Sequence, residues 1–360
     1  MQSQLLILVL ACFVFAAEAC TGSIYSLSDV SSAVQCTTVN IYKFTVPAGQ
    51  TFSLTLATET TVNMLGDVTF GNQSWAGPLF QIRCVRHPVN GNGYTFNGNG
   101  PYYWDGLGTN GGITKPHPMI KILISGTFQN VKVLNSPAQV YSVSNPASLV
   151  MTSLTIDNSL GDSSNSQSNG LPAGHNTDGF DVSTTNLVIS NSVVKNQDDC
   201  IAINRGSNIV FTGNTCSGGH GISIGSITSN VVVNDITVSD NTITNSDQAI
   251  RIKTDSTATN SSVYNIAYSG NKGSGLRRFG LLIDQSYPNT LSTPGTGVKL
   301  SAISFAGQTT SLSVNGSADR VAVNCGSGAC TGTWDWSGLK VTGGVAGPIY
   351  NFSGISGFSQ

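Results

Sequence analysis

The sequence predicts an all-β chain, a single-domain right-handed parallel β-helix, and three observations carry that expectation. A short apolar-alternating phrase that ends in Asn recurs at residues 131–135, 154–158, 187–191, 209–214, 236–241 and 266–271. The first residues of these phrases are spaced by 23, 33, 22, 27 and 30, a loose period that overrides the two-domain expectation from length alone. The 41 glycines suit the many turns of a solenoid, and helical periodicity is almost absent.

The elements follow in order. Residues 5–17 form an apolar run, too short to span a bilayer and of the length of a signal-peptide core. Ala17-Glu18-Ala19 fits the small-x-small cleavage pattern, although Met1-Gln2-Ser3-Gln4 lacks the usual Lys or Arg. Residues 1–19 therefore read as a signal peptide and 20–360 as the β-helix domain, secreted, extracellular and without a membrane partner. A short helix over 28–34, with Ser28 as N-cap, would close the N-terminal end of the solenoid core. The Asn-Gly steps at 90–93 and 97–100 would suit the hairpins of a β-sandwich, but they are confined to the N-terminal third. Beyond them the repeat takes over. Alternate residues such as Leu187 and Ile189 point into the core, and coils stack about 4.8 Å apart. Asn at the strand end tolerates a left-handed turn and lets its amide ladder onto the next coil. Two Ser/Asn/Gly/Pro-rich insertions, 159–175 and 285–297, interrupt the repeat, and loops of that kind are usually functional.

Composition bounds the function. Charged residues are only 9% of the chain, against about 25% in an ordinary soluble domain. The net charge of −2 argues against nucleic acid, which requires a basic surface. Cys12 would leave with the signal peptide. Of the remaining cysteines, Cys20–Cys36, Cys200–Cys216 and Cys325–Cys330 are local pairs that close short loops in an oxidising compartment, and Cys84 reads as a buried small hydrophobe. No Cys or His spacing suits zinc, so neither metal nor cofactor is expected. Asn72, Asn260, Asn315 and Asn351 head glycosylation sequons.

The scarce charges concentrate in Asn176-Thr177-Asp178, Gln197-Asp198-Asp199, Gly219-His220-Gly221 and Arg251-Ile252-Lys253, with Tyr287 beyond. Asp178 to Asp199 and Asp199 to His220 are steps of 21, one coil each, and His220 to Arg251 is 31, read as a coil with an insertion. Asp178, Asp199 and His220 should therefore form a ladder with Asp198 beside it. Carboxylates this close cannot all ionise, and one protonated beside one ionised carboxyl is the equipment for glycoside hydrolysis. Arg251 and Lys253 alternate along a strand, so both can face the acids and bind an anionic sugar. Asp181, Asp240 and Asp247 read as turn residues, His175 as shaping the Asn176 turn, His87 and His117 as turn or surface residues. Trp75, Trp104, Trp334 and Trp336 read as core or cap.

This ordered set resembles the motifs of the polygalacturonases, glycoside hydrolase family twenty-eight, most closely the fungal type also found in plant-feeding insects. Residues 174–181, 196–200 and 218–226 match in their surroundings, as do Tyr103-Trp104-Asp105-Gly106 and residues 325–330. The resemblance implies that Asp198 is the general acid, that Asp178 and Asp199 hold and deprotonate the attacking water, and that His220 tunes the acid or shares its proton. It implies that Arg251 and Lys253 grip a galacturonate carboxylate, with Asn176 and Tyr287 in the substrate site. The implied activity is inverting, metal-independent, endo-acting hydrolysis of α-1,4 bonds in pectin by a monomer. Asp284 stands where Gln is usual, residues 276–279 replace a stretch that often carries an acid, and Thr184 replaces a common Asn, all near presumed sugar subsites. Against this stand a catalytically silent pectin-binding relative, an exo- or oligomer-preferring hydrolase, a calcium-dependent lyase and a rhamnogalacturonan hydrolase.

Overall fold

The structure, a computed structural model, describes residues 18–360; nearly all of the predicted signal peptide lies outside the described residues. Among the described residues twenty-nine strands join in one continuous sheet, and every strand pairing is parallel. Among the described residues there is no antiparallel hairpin, which removes the sandwich alternative. The chain is a parallel β-helix, right-handed as parallel crossovers are.

Each complete coil has three faces. On the first face Phe180, Ile201, Ile222, Ile250, Leu281 and Val321 stack in register, all inward. On the second Leu187, Ile209, Ile236, Ile266 and Ile303 do the same. The third is built of three- to five-residue strands such as Thr155–Asp157, Val193–Lys195, Thr215–Ser217 and Lys272–Leu276. Each apolar side chain thus meets its own kind above and below, and the core is one continuous column from Ile24 to Leu339.

The register corrects the period. The phrases at 131–135 and 154–158 lie on the third face, whereas 187–191 and the later ones lie on the second. The step of 33 is therefore not a coil; Leu187 pairs with Leu149. The two faces share the same alternation and turn residues, so the sequence pattern did not separate them. The Asn ladder is real but shorter than six rungs. Asn191 aligns with the turn position of Gly213 and Asp240, all left-handed, while Ser192 precedes the ladder proper. There, Asn214 donates from Nδ2 to Asn241 Oδ1 at 3.1 Å, and Asn241 donates to Asn271 Oδ1 at 2.9 Å, all three buried.

The N-terminal cap is a 3-10 turn, Leu27–Asp29, followed by the helix Val30–Ala33. The N-cap of that helix is Asp29, not Ser28. Asp29 instead accepts Tyr25 N and Ser26 Oγ, both at 2.9 Å, which ties the turn together upstream. At the other end Trp334 and Trp336 are buried, with Phe352 4.2 Å from Trp334 between ring centroids. Cys20–Cys36, Cys200–Cys216 and Cys325–Cys330 are joined as disulfides, and Cys84 is buried in the strand Phe80–Asn90. That strand also carries His87, whose backbone pairs with Gly126 and is no turn.

Candidate active site

The strand register places the site. Two residues before the inward stack of Phe180, Ile201, Ile222 and Ile250 stand Asp178, Asp199, His220 and Gln248. The ladder expected from steps of 21 is present, but its fourth rung is Gln248, which donates to His220 O at 2.8 Å. Arg251 is three residues further along, on the strand itself and opposite Ser223. His220 lies between glycines because the stacked turns leave no room: a Cβ at Gly219 would run into the Asp198 carbonyl, and one at Gly221, where φ is +73°, into that of Gln248.

Alternation then does the rest. One residue after the inward stack, Asp181, Ala202, Ser223 and Arg251 face outward, and Lys253 follows two positions on. Asp199, fully buried, accepts from Ser223 Oγ and Arg251 Nη2 on Oδ1, both at 2.6 Å, and from Lys253 Nζ on Oδ2 at 2.9 Å. His220 Nδ1 lies 3.0 Å from Asp198 Oδ1. Asn176 donates to Asp198 Oδ2 at 3.1 Å, and its own Oδ1 accepts Thr109 N at 3.1 Å. Lys253 Nζ sits 5.1 Å from the centre of the Tyr287 ring. Asn176, Asp178, Asp198, Asp199, His220, Arg251, Lys253 and Tyr287 all line one open pocket of about 300 Å³.

Asp181 also lines this pocket. It is a strand residue, not a turn residue; the apolar alternation of Phe180 and Val182 was the signal that could have placed it. Asp247 lies in a bend, as expected, and it also reaches the site. Its Oδ2 lies 3.8 Å from His220 Nε2, and its Oδ1 takes Arg277 at 2.8 Å. Asp240 does hold a left-handed turn position. His175 approaches Asn110 at 3.3 Å and borders the pocket, and His117 is exposed with Nδ1 2.8 Å from Lys115 O. Trp104 is core, held by its indole donating to Ser136 O at 3.0 Å.

The walls come from loops. Gln197 pins the base of the 159–175 insertion, donating to Asn158 O at 2.9 Å and Asp162 Oδ1 at 2.7 Å. A second wall, not anticipated from sequence, follows Trp104. Buried Lys115 donates to Asp105 Oδ2 at 2.9 Å and ties that loop closed. The third wall is shorter than expected, since the strand Phe279–Tyr287 includes Gln285 and Tyr287 and the loop begins only at Pro288. The three departures from the family pattern separate here. Asp284 is buried and accepts Ser286 N at 2.9 Å, Leu291 N at 2.7 Å and Asn324 Nδ2 at 2.9 Å, so it organises this loop. Thr184 is buried and donates to Asn145 O at 3.1 Å. In the stretch 276–279 Arg277 lines the continuation of the groove beyond His220.

Four carboxyls, Asp178, Asp181, Asp198 and Asp199, thus share a site with Arg251, Lys253 and His220. Burial pushes Asp178 well up, and the nearby charges of Asp198, Asp181 and Asp199 add to it. Burial, with Asp199 and Asp198, pushes Asp181 up to about 7. Burial also acts on Asp198, but the His220 bond and charge outweigh it, with Lys253 and Arg251, and hold that carboxyl down. Asp199 is likewise held down by Arg251 and Lys253 against its burial. His220 is held above its usual value by its bond to Asp198, which outweighs burial. The resting site therefore favours a proton on Asp178 and a charge pair between His220 and Asp198. Asp198, Asp199 and His220 offer ligand atoms within 4.8 Å of one another, but both Asp199 oxygens already hold cations.

A protonated and an ionised carboxyl in an open groove on a parallel β-helix, flanked by cations, define a class: a polysaccharide-cleaving acid–base catalyst that takes acidic sugars. The sequence model of Glycosyl hydrolases family 28 matches residues 36–355, and the chain belongs to that family. It is 40% identical over 340 residues to "Endopolygalacturonase I" of Aspergillus aculeatus, covering 91% of this chain and 86% of that one. It is 43% identical over 317 residues to "Polygalacturonase" of Penicillium digitatum, covering 86% and 83%. The fold superposes on endopolygalacturonase I from Stereum purpureum, solved in complex with two galacturonates, with a TM-score of 0.86 at 47% identity, covering 91% of this chain and 96% of that one.

Proposed function

We propose that the chain is a secreted polygalacturonase that hydrolyses α-1,4-galacturonosyl bonds of polygalacturonate in pectin, within the polymer, by a single inverting displacement. It acts outside the cell, where its three disulfides persist. We further propose that residues 1–19 are removed as a signal peptide. The observation that carries the activity is the convergence of Asp178, Asp198, Asp199 and His220 with Arg251 and Lys253 in one groove. The groove's openness to solvent supports cleavage within a polymer rather than at its end.

In this reading the proton that the resting site favours on Asp178 moves to Asp198 as substrate binds; Asp198 then protonates the leaving glycosidic oxygen, while Asp178, now ionised, and Asp199 hold the water that attacks the anomeric carbon and take its proton. A galacturonate carboxylate seated on Arg251 and Lys253 draws off part of the positive charge that holds Asp198 down, and the His220 proton stands one 3.0 Å bond away. Substrate thereby raises Asp198 towards the protonated form the leaving group needs. Tyr287 supplies a ring beside Lys253 against which a sugar face can rest. Asn176 fixes the Asp198 carboxyl in place.

The test follows reducing ends and viscosity together on demethylated polygalacturonate. The protein should drop viscosity after few cuts, and Asp198→Asn should lose most turnover while still binding substrate. New ends without viscosity loss would move the reading to an exo-acting hydrolase. No new ends from the unaltered protein would move it to a silent pectin-binding relative.

A further inference from the structure

The groove does not stop at the carboxylates. From His175 and His220 it continues towards the turns that precede the first-face strands, a further space of about 610 Å³ lined by Gln197, Gly218, Asp247 and Arg277 among others. Arg277 and the Asp247 carboxylate line it, and the adjacent Arg278 stands 3.8 Å from that carboxylate. Arg277 is spoken for: it donates from Nε to Asp247 Oδ1 at 2.9 Å and from Nη2 to Gly218 O at 2.9 Å, and it also bonds Asn245 O. Arg278 is different. Among the described residues its guanidinium makes no hydrogen bond; it lies 5.7 Å from the centre of the Phe279 ring, its side chain is 55% exposed, and it meets Asp247 Oδ2 only at 3.8 Å. The same Oδ2 is 3.8 Å from His220 Nε2, so the Arg278 guanidinium cannot lie farther from the imidazole than those two distances together.

Charge counting points to a ligand. The one Asp247 carboxylate faces two guanidinium groups, Arg277 at 2.8 Å and Arg278 at 3.8 Å, which leaves the trio with a net positive charge beside the groove. In a chain with 16 Lys and Arg in all, that placement is not diluted by neighbours. We propose that Arg278, held in position by the Asp247–Arg277 pair, forms a second carboxylate subsite beyond His220, so that the enzyme requires an unesterified galacturonate there as well as at Arg251 and Lys253. The proposal rests on the polygalacturonase reading of the same groove. A guanidinium with free donors takes a carboxylate in two parallel bonds, which a methyl ester cannot match in charge or in acceptor strength. Because the rim is solvent-exposed, its contribution is screened by salt.

The experiment compares the unaltered protein, Arg278→Ala and Arg278→Lys on polygalacturonate of low and of high methyl esterification, at low and high salt. On the low-ester polymer Arg278→Ala should raise KM roughly three- to tenfold with a smaller change in kcat. Arg278→Lys should recover part of that loss. The difference between the proteins should shrink on the high-ester polymer and at high salt. An unchanged KM for Arg278→Ala on the low-ester polymer, with the unaltered protein active, would overturn the subsite and leave the polygalacturonase reading intact. Inactivity of the unaltered protein on both polymers would instead overturn the reading on which the subsite rests. An equal KM rise on both polymers would show a loss of shape rather than of charge, and would also overturn it.

Discussion

Single residues decide the chemistry, and the roles of Asp178 and Asp198 are separable by pH. A general acid must be protonated, so rate falls as pH rises through its pKa; a general base must be ionised, so rate falls as pH drops through its own. With Asp198 as acid, Asp198→Asn removes most of kcat and its residual rate loses the alkaline limb, whereas Asp178→Asn loses the acidic limb. The opposite pattern would exchange the two roles. Asp181 gives a second residue-scale prediction. Its carboxyl is pushed up to about 7 by burial and by Asp199 and Asp198. A raised carboxyl binds its proton more tightly in the folded state, so stability falls as pH climbs from the unfolded value near 4 to about 7. Asp181→Asn should therefore be more stable than the parent at pH 7, by roughly 1–3 kcal/mol given the water that still reaches the groove floor, with the gain gone near pH 4. Thermal melts at the two pH values measure it. The motif acids were legible in the sequence because chemistry leaves them no other neighbours of their kind. Asp181 and Asp247 were not, because their importance comes from what the coil above and the turn below bring to them: Asp199 to the one, His220 and Arg277 to the other.

At the scale of elements, the turns carry the design. Asn241 is fully buried, donates to Phe211 O and Asn271 Oδ1, and accepts from Asn214 N and Nδ2. Asn241→Ala leaves those partners unpaired inside the molecule, and urea unfolding should show a loss of about 2–4 kcal/mol. Asp284 makes the corresponding case for the loop below Tyr287. Its bonds to Ser286, Leu291 and Asn324, with those of Ser292 N to Ser286 Oγ and Asn324 Nδ2 to Ser292 O, hold residues 288–292 against the strand. Asp284→Ala should open that loop to limited proteolysis and raise KM more than it lowers kcat, since the loop follows directly on Tyr287. Sequence alone read Asp284 as a subsite change, because an outward strand position and a position roofed by a loop have the same alternation. The same ambiguity merged two faces of the coil into one period: strand, turn and Asn recur on both, and only pairing with Leu149 shows that Leu187 opens a different column from Leu154.

At the scale of the whole molecule, the stacking of coils converts sequence spacing into contact. The 21-residue steps from Asp178 to Asp199 to His220 were sufficient to predict that these residues stack in one ladder, because insertions fall elsewhere in those two coils. Beyond His220 the coil lengthens, the arithmetic slips by three residues, and Arg251 reaches Asp199 by strand geometry instead. The same stacking leaves the groove open, and in the proposed mechanism a water held by Asp178 and Asp199 opposite the leaving group makes the reaction a single displacement. Proton NMR of the first cleavage products from α-linked polygalacturonate, recorded before the new reducing ends equilibrate, tests this most directly. The account predicts that the new ends appear first as the β-anomer, at a rate that collapses in Asp198→Asn. First appearance of the α-anomer, an unsaturated product, or an undiminished rate in Asp198→Asn would contradict it.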